Sequence, residues 1–475
     1  MKKSQWLCAA AASALILSQG AGSVHAAGAK TQAVPAAAKT MAALAVKEGT
    51  VSWTVNGRTV ALQTIDAGGY KLYAAGQVAA ALGARLTAGG SGLAAVSSDG
   101  IHTVVLKTGS SAYTVDGQAR TFSAAPVSHK GRIYVQLGSL VNGLGGEVLA
   151  SEAKLLSAAR PQGEFDTLRG AADSVIATRE DATGTEVYRF SPVPGSYSLL
   201  TADERAADFT VSPDGRFGAF TDDTGQLSLI NLATGAISPA GTDTSVKTDL
   251  FWSADGSRIY VIQGDKQEKL AAVDASTGAL TELLADKVEN KSELRVSADG
   301  TRAVYIVNLT GTAKNDADST EASLTIDYSQ AGEQLYSLDL TKKDAKPVQL
   351  TNTPDNKLFP ELLADGSVVY LSADAEGSDP NVLKRIKPGG AAEAVRLDME
   401  PSWMAGYGGG LIVSGTAADG TSRIYTVTAG GTASELLRTS KSIDEVAVSP
   451  GGGVSLVSGG KLWFVQNGKA VQLTR

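Results

Sequence analysis

FTVSPDGRFGAF (209–220) holds an apolar pair, a tight turn on glycine and a second strand-like run, and the second half of the chain repeats the idea. The later copies read LFWSADGSRIYV (250–261), LRVSADGTRAVYIV (294–307), FPELLADGSVVYL (359–371), PSWMAGYGGGLIV (401–413) and VAVSPGGGVSLV (446–457). Their turn glycines are Gly215, Gly256, Gly300, Gly366, Gly409 and Gly452, which sets steps of 41, 44, 66, 43 and 43 residues. A period near 43 with strand-turn-strand content is the mark of a β-propeller blade.

Each repeat has a second half: LSLINLATG (227–235), LAAVDASTG (270–278), QLYSLDLT (334–341), VLKRIKPGG (382–390), RIYTVTAGG (423–431) and KLWFVQNGK (461–469). Each is a strand closed by a small-residue turn, and polar outer strands such as KPVQLT (346–351) follow. A further unit without the Asp-Gly turn lies upstream in SVIATRED (174–181), EVYRFSPVPG (186–195) and SYSLLT (196–201). The expected fold is therefore mainly β: a seven-bladed propeller over 165–475, or six-bladed if the first unit packs elsewhere.

With Ser-Pro-Asp-Gly, Ser-Ala-Asp-Gly and Leu-Ala-Asp-Gly in view, 165–475 resembles the TolB-like, WD-repeat-like propellers, whose units carry such a turn between their first two strands. The resemblance implies architecture and is nearly silent on function. Turn chemistry alone accounts for the Asp-Gly pairs, since Gly supplies a positive φ and Asp bonds the local backbone. The last two turns depart from the pattern, with Gly406 to Gly410 and Gly451 to Gly453 in place of the Asp.

The N-terminus reads as an export signal over 1–26. Lys2 and Lys3 form the charged region, Trp6 to Leu17 the apolar run, and Val24-His25-Ala26 the cleavage site. The apolar run falls short of the roughly 20 residues a bilayer span needs. Cys8 lies inside it, so a lipoprotein signal does not fit, and cleavage removes the only cysteine. Residues 27–48 are Ala-rich with Lys30, Lys39, Lys47 and Pro35, and read as a linker; an amphipathic helix over 36–47 is the other reading.

Residues 49–158 carry their own duplication. TVSWTVNGRTVAL (50–62) with YKLYAAGQVAAALGARL (70–86) is matched by SSAYTVDGQARTF (110–122) with GRIYVQLGSLVNGLGGEV (131–148). Asn56-Gly57 and Asp116-Gly117, 60 apart, are hairpin turns; Leu82-Gly83 and Leu144-Gly145, 62 apart, end short helices with Gly at the C-cap. This small α+β domain resembles the stalk domain named after the N-terminal part of copper amine oxidases, widespread on exported proteins of Gram-positive bacteria such as bacilli and paenibacilli. The Pro-Leu-Arg that usually opens the helix is here Ala74-Ala75-Gly76 and Gln136-Leu137-Gly138. Copper chemistry does not follow from the name. The chain beyond the signal has two histidines, His102 and His129, with no second histidine at ligand spacing, and both read as solvated strand or loop residues.

The propeller region has no histidine or cysteine, which excludes Ser-His-Asp and Cys-His arrangements within it. The chain ends at Arg475 without a Gly-x-Ser-x-Gly segment of the kind the propeller-plus-hydrolase peptidases carry. Carboxylate chemistry of the glycosidase type survives, although spacing singles out no pair. Two acidic stretches stand out: NDADSTEASLTID (315–327), inside an insertion of about 22 residues, and DAEGSDPN (374–381). Neither has the Gly and closing Glu of an EF-hand loop, and both read as solvated turns. The first supplies a candidate partner loop of Asp316, Asp318, Glu321, Asp327 and Tyr328. Trp252, Trp403 and Trp463 lie on blade strands, where they read as core.

The formal charge is −7, and −9 after signal removal, with no basic stripe interleaved with aromatics; nucleic acid is disfavoured. No cofactor is implied. The expected function is an exported, non-catalytic binding or scaffold protein, secreted or associated with the cell wall. Its stalk would present the propeller to an envelope protein, peptide or polysaccharide. A carboxylate-dependent glycosidase or polysaccharide lyase acting at the channel is the alternative. N-terminal sequencing of the protein from culture medium is expected to start at Ala27; an intact Met1 terminus refutes export by this signal.

Overall fold

In the computed structural model, residues 46–475 are described except 90–91, 193–195, 315–324 and 328–331. From residue 166 onward the chain forms seven four-stranded antiparallel sheets, each from four strands taken in chain order. Their first strands are Asp166–Ala171, Thr210–Val211, Lys247–Trp252, Lys291–Val296, Asn356–Leu362, Glu400–Tyr407 and Glu445–Val448. Each first strand packs against the first strand of the next sheet, and the seventh packs against the first. The upstream unit read without an Asp-Gly turn is the first of these sheets, built from Asp166–Ala171, Ser174–Asp181, Gly184–Ser191 and Ser196–Thr201.

The Ser-x-Asp-Gly turns hold themselves shut. Ser212 Oγ donates to Asp214 Oδ1 at 2.7 Å and accepts from Phe217 N at 3.0 Å, while Arg216 N donates to the same carboxylate at 3.0 Å. Ser253 with Asp255 and Ser297 with Asp299 repeat this geometry. The pattern also closes a turn of the N-terminal domain, at Ser97 and Asp99. Strand sides facing neighbouring sheets carry the core, including Ile230, Ile259, Val304 and Ile412, all fully buried.

Three first strands open on a buried lysine. Lys247 Nζ donates to the carbonyls of Gly225, Asp243 and Ser245 at 3.1, 3.0 and 2.8 Å. Lys291 Nζ donates to Glu268 O at 2.9 Å, Asp286 Oδ1 at 2.8 Å and Val288 O. Lys357 Nζ reaches Asp355 Oδ1 at 3.2 Å and the Thr353 carbonyl. Each ammonium spends its donors on loop carbonyls, with an aspartate carboxylate added at Lys291 and Lys357, tying each sheet's first strand to the loop that delivers it.

The N-terminal part holds a seven-stranded and a five-stranded sheet; helix Ala75–Ala81 leads from the first to the second, and helix Leu137–Gly143 joins two strands of the first. Leu62, Val78, Val104, Leu140 and Leu155 share one core across both sheets. The two copies do not fold into equivalent places. The Asn56-Gly57 hairpin sits in the larger sheet and the Asp116-Gly117 hairpin in the smaller. The helices end one residue earlier than expected, with Leu82 and Leu144 at the C-caps and Gly83 and Gly145 following at φ of 74° and 78°. The first strand, Lys47–Val55, takes in Lys47 and Glu48 from the segment read as linker, because both pair with Asp66 and Ile65. The signal, the rest of the linker and all but the last two residues of the alternative helix lie outside the described residues.

The connection to the ring is embedded. Arg160 pairs with Glu147 through Nε at 3.1 Å and Nη2 at 2.8 Å and donates from Nη1 to Gln472 O at 3.2 Å; Tyr197 Oη donates to Ala159 O at 2.7 Å. Residues 46–475 accordingly form one compact unit.

Lys291→Met would remove a fully buried ammonium and leave its three acceptors, Glu268 O, Asp286 Oδ1 and Val288 O, without their donor, so urea denaturation is expected to show a loss of about 3 kcal/mol. Lys266→Met, at an exposed ion pair, is expected to leave the urea midpoint almost unchanged. Equal effects would remove the lysine from its structural role.

Candidate site at the centre of the ring

Two cavities open where the first strands converge. The larger, ≈ 1070 Å³, is lined from sheets one, two, three, six and seven, with Arg169, Asp208, Thr248, Asp249 and Tyr407 among its walls. The smaller, ≈ 580 Å³, lies against the turns of sheets four to six and includes Asp299, Arg302 and Glu361. Tyr407, with Gly406 and Gly408, lines both. The glycine-rich departure in the sixth repeat thus falls at the site. Gly408 and Gly409 take φ of 54° and 78°, as a two-residue turn of this hand demands, and a Cβ on either would meet nothing within 4 Å. Tyr407 Oη reaches across to Gly452 O at 3.2 Å, joining the two departing turns.

The walls are acidic by repetition. Four residues before the turn serine stand Asp208, Asp249, Glu293 and Glu445. Bulges interrupt pairing in the first, third, fourth and fifth sheets, where Thr167, Asp249, Glu293 and Phe359 sit at φ of 49°, 50°, 54° and 51°. A bulge leaves its amides outside the ladder, and a neighbouring carboxylate takes them. Glu293 N donates to Asp249 Oδ1 at 3.0 Å, and Leu168 N to Glu445 Oε1 at 2.6 Å. Sequence reading missed this set, although the spacing D/E-x-x-x-S was in plain view.

Arg295 stands between Glu293 of this set and a further acid of the fifth sheet, with Nη2 3.4 Å from Glu293 Oε2 and Nε 3.5 Å from Glu361 Oε1. Its guanidinium lies 5.6 Å from the Phe251 ring centroid. Burial pushes the Glu293 carboxyl up; Arg295 opposes this, and the charges of Asp249 and Glu361 add to it. Burial likewise raises Glu361 against Arg295 and the Gly406 amide, and Glu445 against the Leu168 amide. Glu293 and Glu361, both pushed up by burial beside one cation, form a pair that can bind a ligand's positive or hydroxyl groups or exchange a proton.

Of the candidate partner loop, Asp316, Asp318, Glu321 and Tyr328 lie outside the described residues. Asp327 ends the strand Thr325–Asp327, which pairs with Thr312–Lys314. Asp374 caps its own turn, accepting from Ser378 N at 2.7 Å and Asp379 N at 3.2 Å. The two histidines stand on a loop and a strand, each beside a carboxylate: His102 Nδ1 is 2.9 Å from Asp116 Oδ2 and His129 Nε2 2.7 Å from Glu48 Oε1. Among the described residues no group of three or more His, Cys, Asp or Glu could hold a metal ion, and no helix is long and apolar enough to cross a membrane. Trp252 is buried and donates to Thr210 O at 3.0 Å.

Residues 54–155 match the family model of the copper amine oxidase N-terminal domain, and 184–321 that of the lipoprotein LpqB β-propeller domain. The ring is therefore propeller-like, as the repeated turns foretold. Among solved structures, a puromycin hydrolase is similar at 15% identity and a TM-score of 0.46 over 66% of this chain and 54% of its own. An oligogalacturonate lyase from Vibrio parahaemolyticus follows at 13% and 0.43, over 62% of this chain and 87% of its own. A putative TolB from Agrobacterium tumefaciens is similar at 14% and 0.37, over 53% and 88%. The chain spans about half the length of the puromycin hydrolase. No curated protein matches it by sequence.

Glu293, Glu333, Glu361 and Glu445 are all raised above the ordinary 4.5, so the folded state holds more protons than the unfolded chain just above that value. The stability this gives is complete below the ordinary value and is lost as pH rises through the raised ones. Urea midpoints are expected to fall as pH rises above about 4.5, and Glu361→Gln to flatten the fall. An unchanged slope would refute burial of Glu361 as a cause.

Proposed function

We propose that the chain is an exported, non-catalytic binding protein in which the seven sheets are the blades of one seven-bladed propeller. The N-terminal domain serves as its stalk at the cell envelope, an assignment favoured by the lipoprotein propeller family matched at 184–321. The ligand, a protein, peptide or polysaccharide, enters at the centre of the ring. The observation that carries this is the ≈ 1070 Å³ cavity walled by five different sheets, with Tyr407 between it and its smaller neighbour. Loops and strand ends from many blades converge there, the usual binding place on such a scaffold. The paired strands Thr312–Lys314 and Thr325–Asp327 mark a second contact surface, next to strands that pair directly at Leu309 and Gly332.

A carboxylate-dependent lyase or glycosidase is the second reading, favoured by Glu293 and Glu361 on either side of Arg295 with both carboxyls raised. One experiment separates them. Envelope polysaccharides and peptides are offered to the protein and to Glu361→Gln, and both binding and product are measured. Binding without product, kept in the variant, is expected. Turnover abolished by Glu361→Gln would replace the binding reading with the enzymatic one.

A further inference from the structure

Among the described residues, seven buried side-chain atoms have no hydrogen-bond partner, and Arg169 Nη1 and Thr248 Oγ1 among them belong to residues lining the larger cavity. Buried donors left unmade cost stability and call for a reason. Resting on the channel-binding reading, we propose that this cavity holds a carboxylate-bearing ligand. Arg169 Nη1 meets the carboxylate and Thr248 Oγ1 donates to a second oxygen of the ligand.

The rest of Arg169 is fixed. Its side chain is 6% exposed, Nη2 donates to Thr178 Oγ1 at 2.9 Å and to the Ala207 carbonyl, and the Phe209 ring centroid lies 4.4 Å from the guanidinium carbon. Nε reaches Asp208 Oδ1 at 3.3 Å, but that carboxylate is 81% exposed and offers a loose counter-charge. Two nitrogens anchor the planar fork and the third is left over, the geometry that receives an incoming oxygen. Asp208 and Asp249 on the same walls repel a doubly charged group such as phosphate and leave room for a single negative charge. Thr248 comes from the third sheet and Arg169 from the first, so a ligand meeting both lies across the second.

A carboxylate of this kind comes from an acidic sugar or from a peptide C-terminus. Calorimetry on the whole protein with trigalacturonate and its methyl ester, and with trialanine and its amide, distinguishes the two. One acid is expected to bind about tenfold tighter than its neutral partner, and which acid does so names the source. Arg169→Gln is expected to abolish the preference, but its lost anchors could unfold the first sheet. Thr248→Val is therefore the decisive variant. It removes an unpartnered hydroxyl, so the melting temperature rises while affinity for the acid falls about fivefold. If neither acid binds, or if the affinity of the acid that binds is unmoved in Thr248→Val, the proposal is overturned. If acid and neutral forms bind alike and Tyr407→Ala weakens both, the channel reading stands and the carboxylate falls. If no probe responds to Tyr407→Ala, both fall.

Discussion

Closing a ring of separate sheets leaves one seam, and the rest of the architecture depends on it. Every four-stranded sheet of the ring comes from one continuous stretch of chain, so no strand is shared between the two ends of the ring. Side chains and backbone of the first and seventh sheets hold it instead. Ser449 Oγ donates to Ser174 O at 2.8 Å, Gly451 N to Ala172 O at 3.1 Å, Phe165 N to Gly460 O at 2.8 Å and Lys461 Nζ to Gly163 O at 2.7 Å. The glycines of the seventh turn gain their meaning here: without an Asp to bind it, the turn serine is released to the neighbouring sheet. Gly170 makes the approach possible, since a Cβ there would sit 1.9 Å from Val448 O.

A second constraint is polarity at the centre. First strands crowd together at their inner edge, where bulges expose amides and loops present carbonyls that little water can reach. Lysines answer the carbonyls and carboxylates answer the amides. The result is a wall whose charges are largely tied to backbone, with Arg295, Glu293 and Glu361 as an exception in which side chain meets side chain. Bulged residues at positive φ store strain of roughly 1 kcal/mol or more each, which the neighbouring carboxylate offsets.

The N-terminal domain is not a loosely tethered appendage in this fold. Arg160 satisfies Glu147 on one side and a carbonyl of the last strand on the other, both acid and base being mostly buried. Such a pair is costly to break because one charge would be left in a poor solvent. The domain and the ring therefore share the orientation of whatever the protein binds.

The repeats were legible because blade turns obey local rules: glycine at positive φ, aspartate on its own backbone, alternation in the strands. The duplication of the small domain was legible for the same reason, down to Asn56-Gly57 and Asp116-Gly117. Local rules ran out where partners lie far apart in sequence. Nothing near Lys291 announces that it is fully buried, and nothing near Ser449 names Ser174, 275 residues away. The candidate loop residues were chosen for breaking the period, whereas the repeated carboxylates of the cavity walls keep it. Sequence by itself determined the strands, turns and repeat, each being a contest among neighbouring dihedrals. Tertiary structure decided the pairing of Glu293 and Glu361 around Arg295 and the unmet donors of Arg169 and Thr248. Burial and charge proximity exist only once the ring has closed.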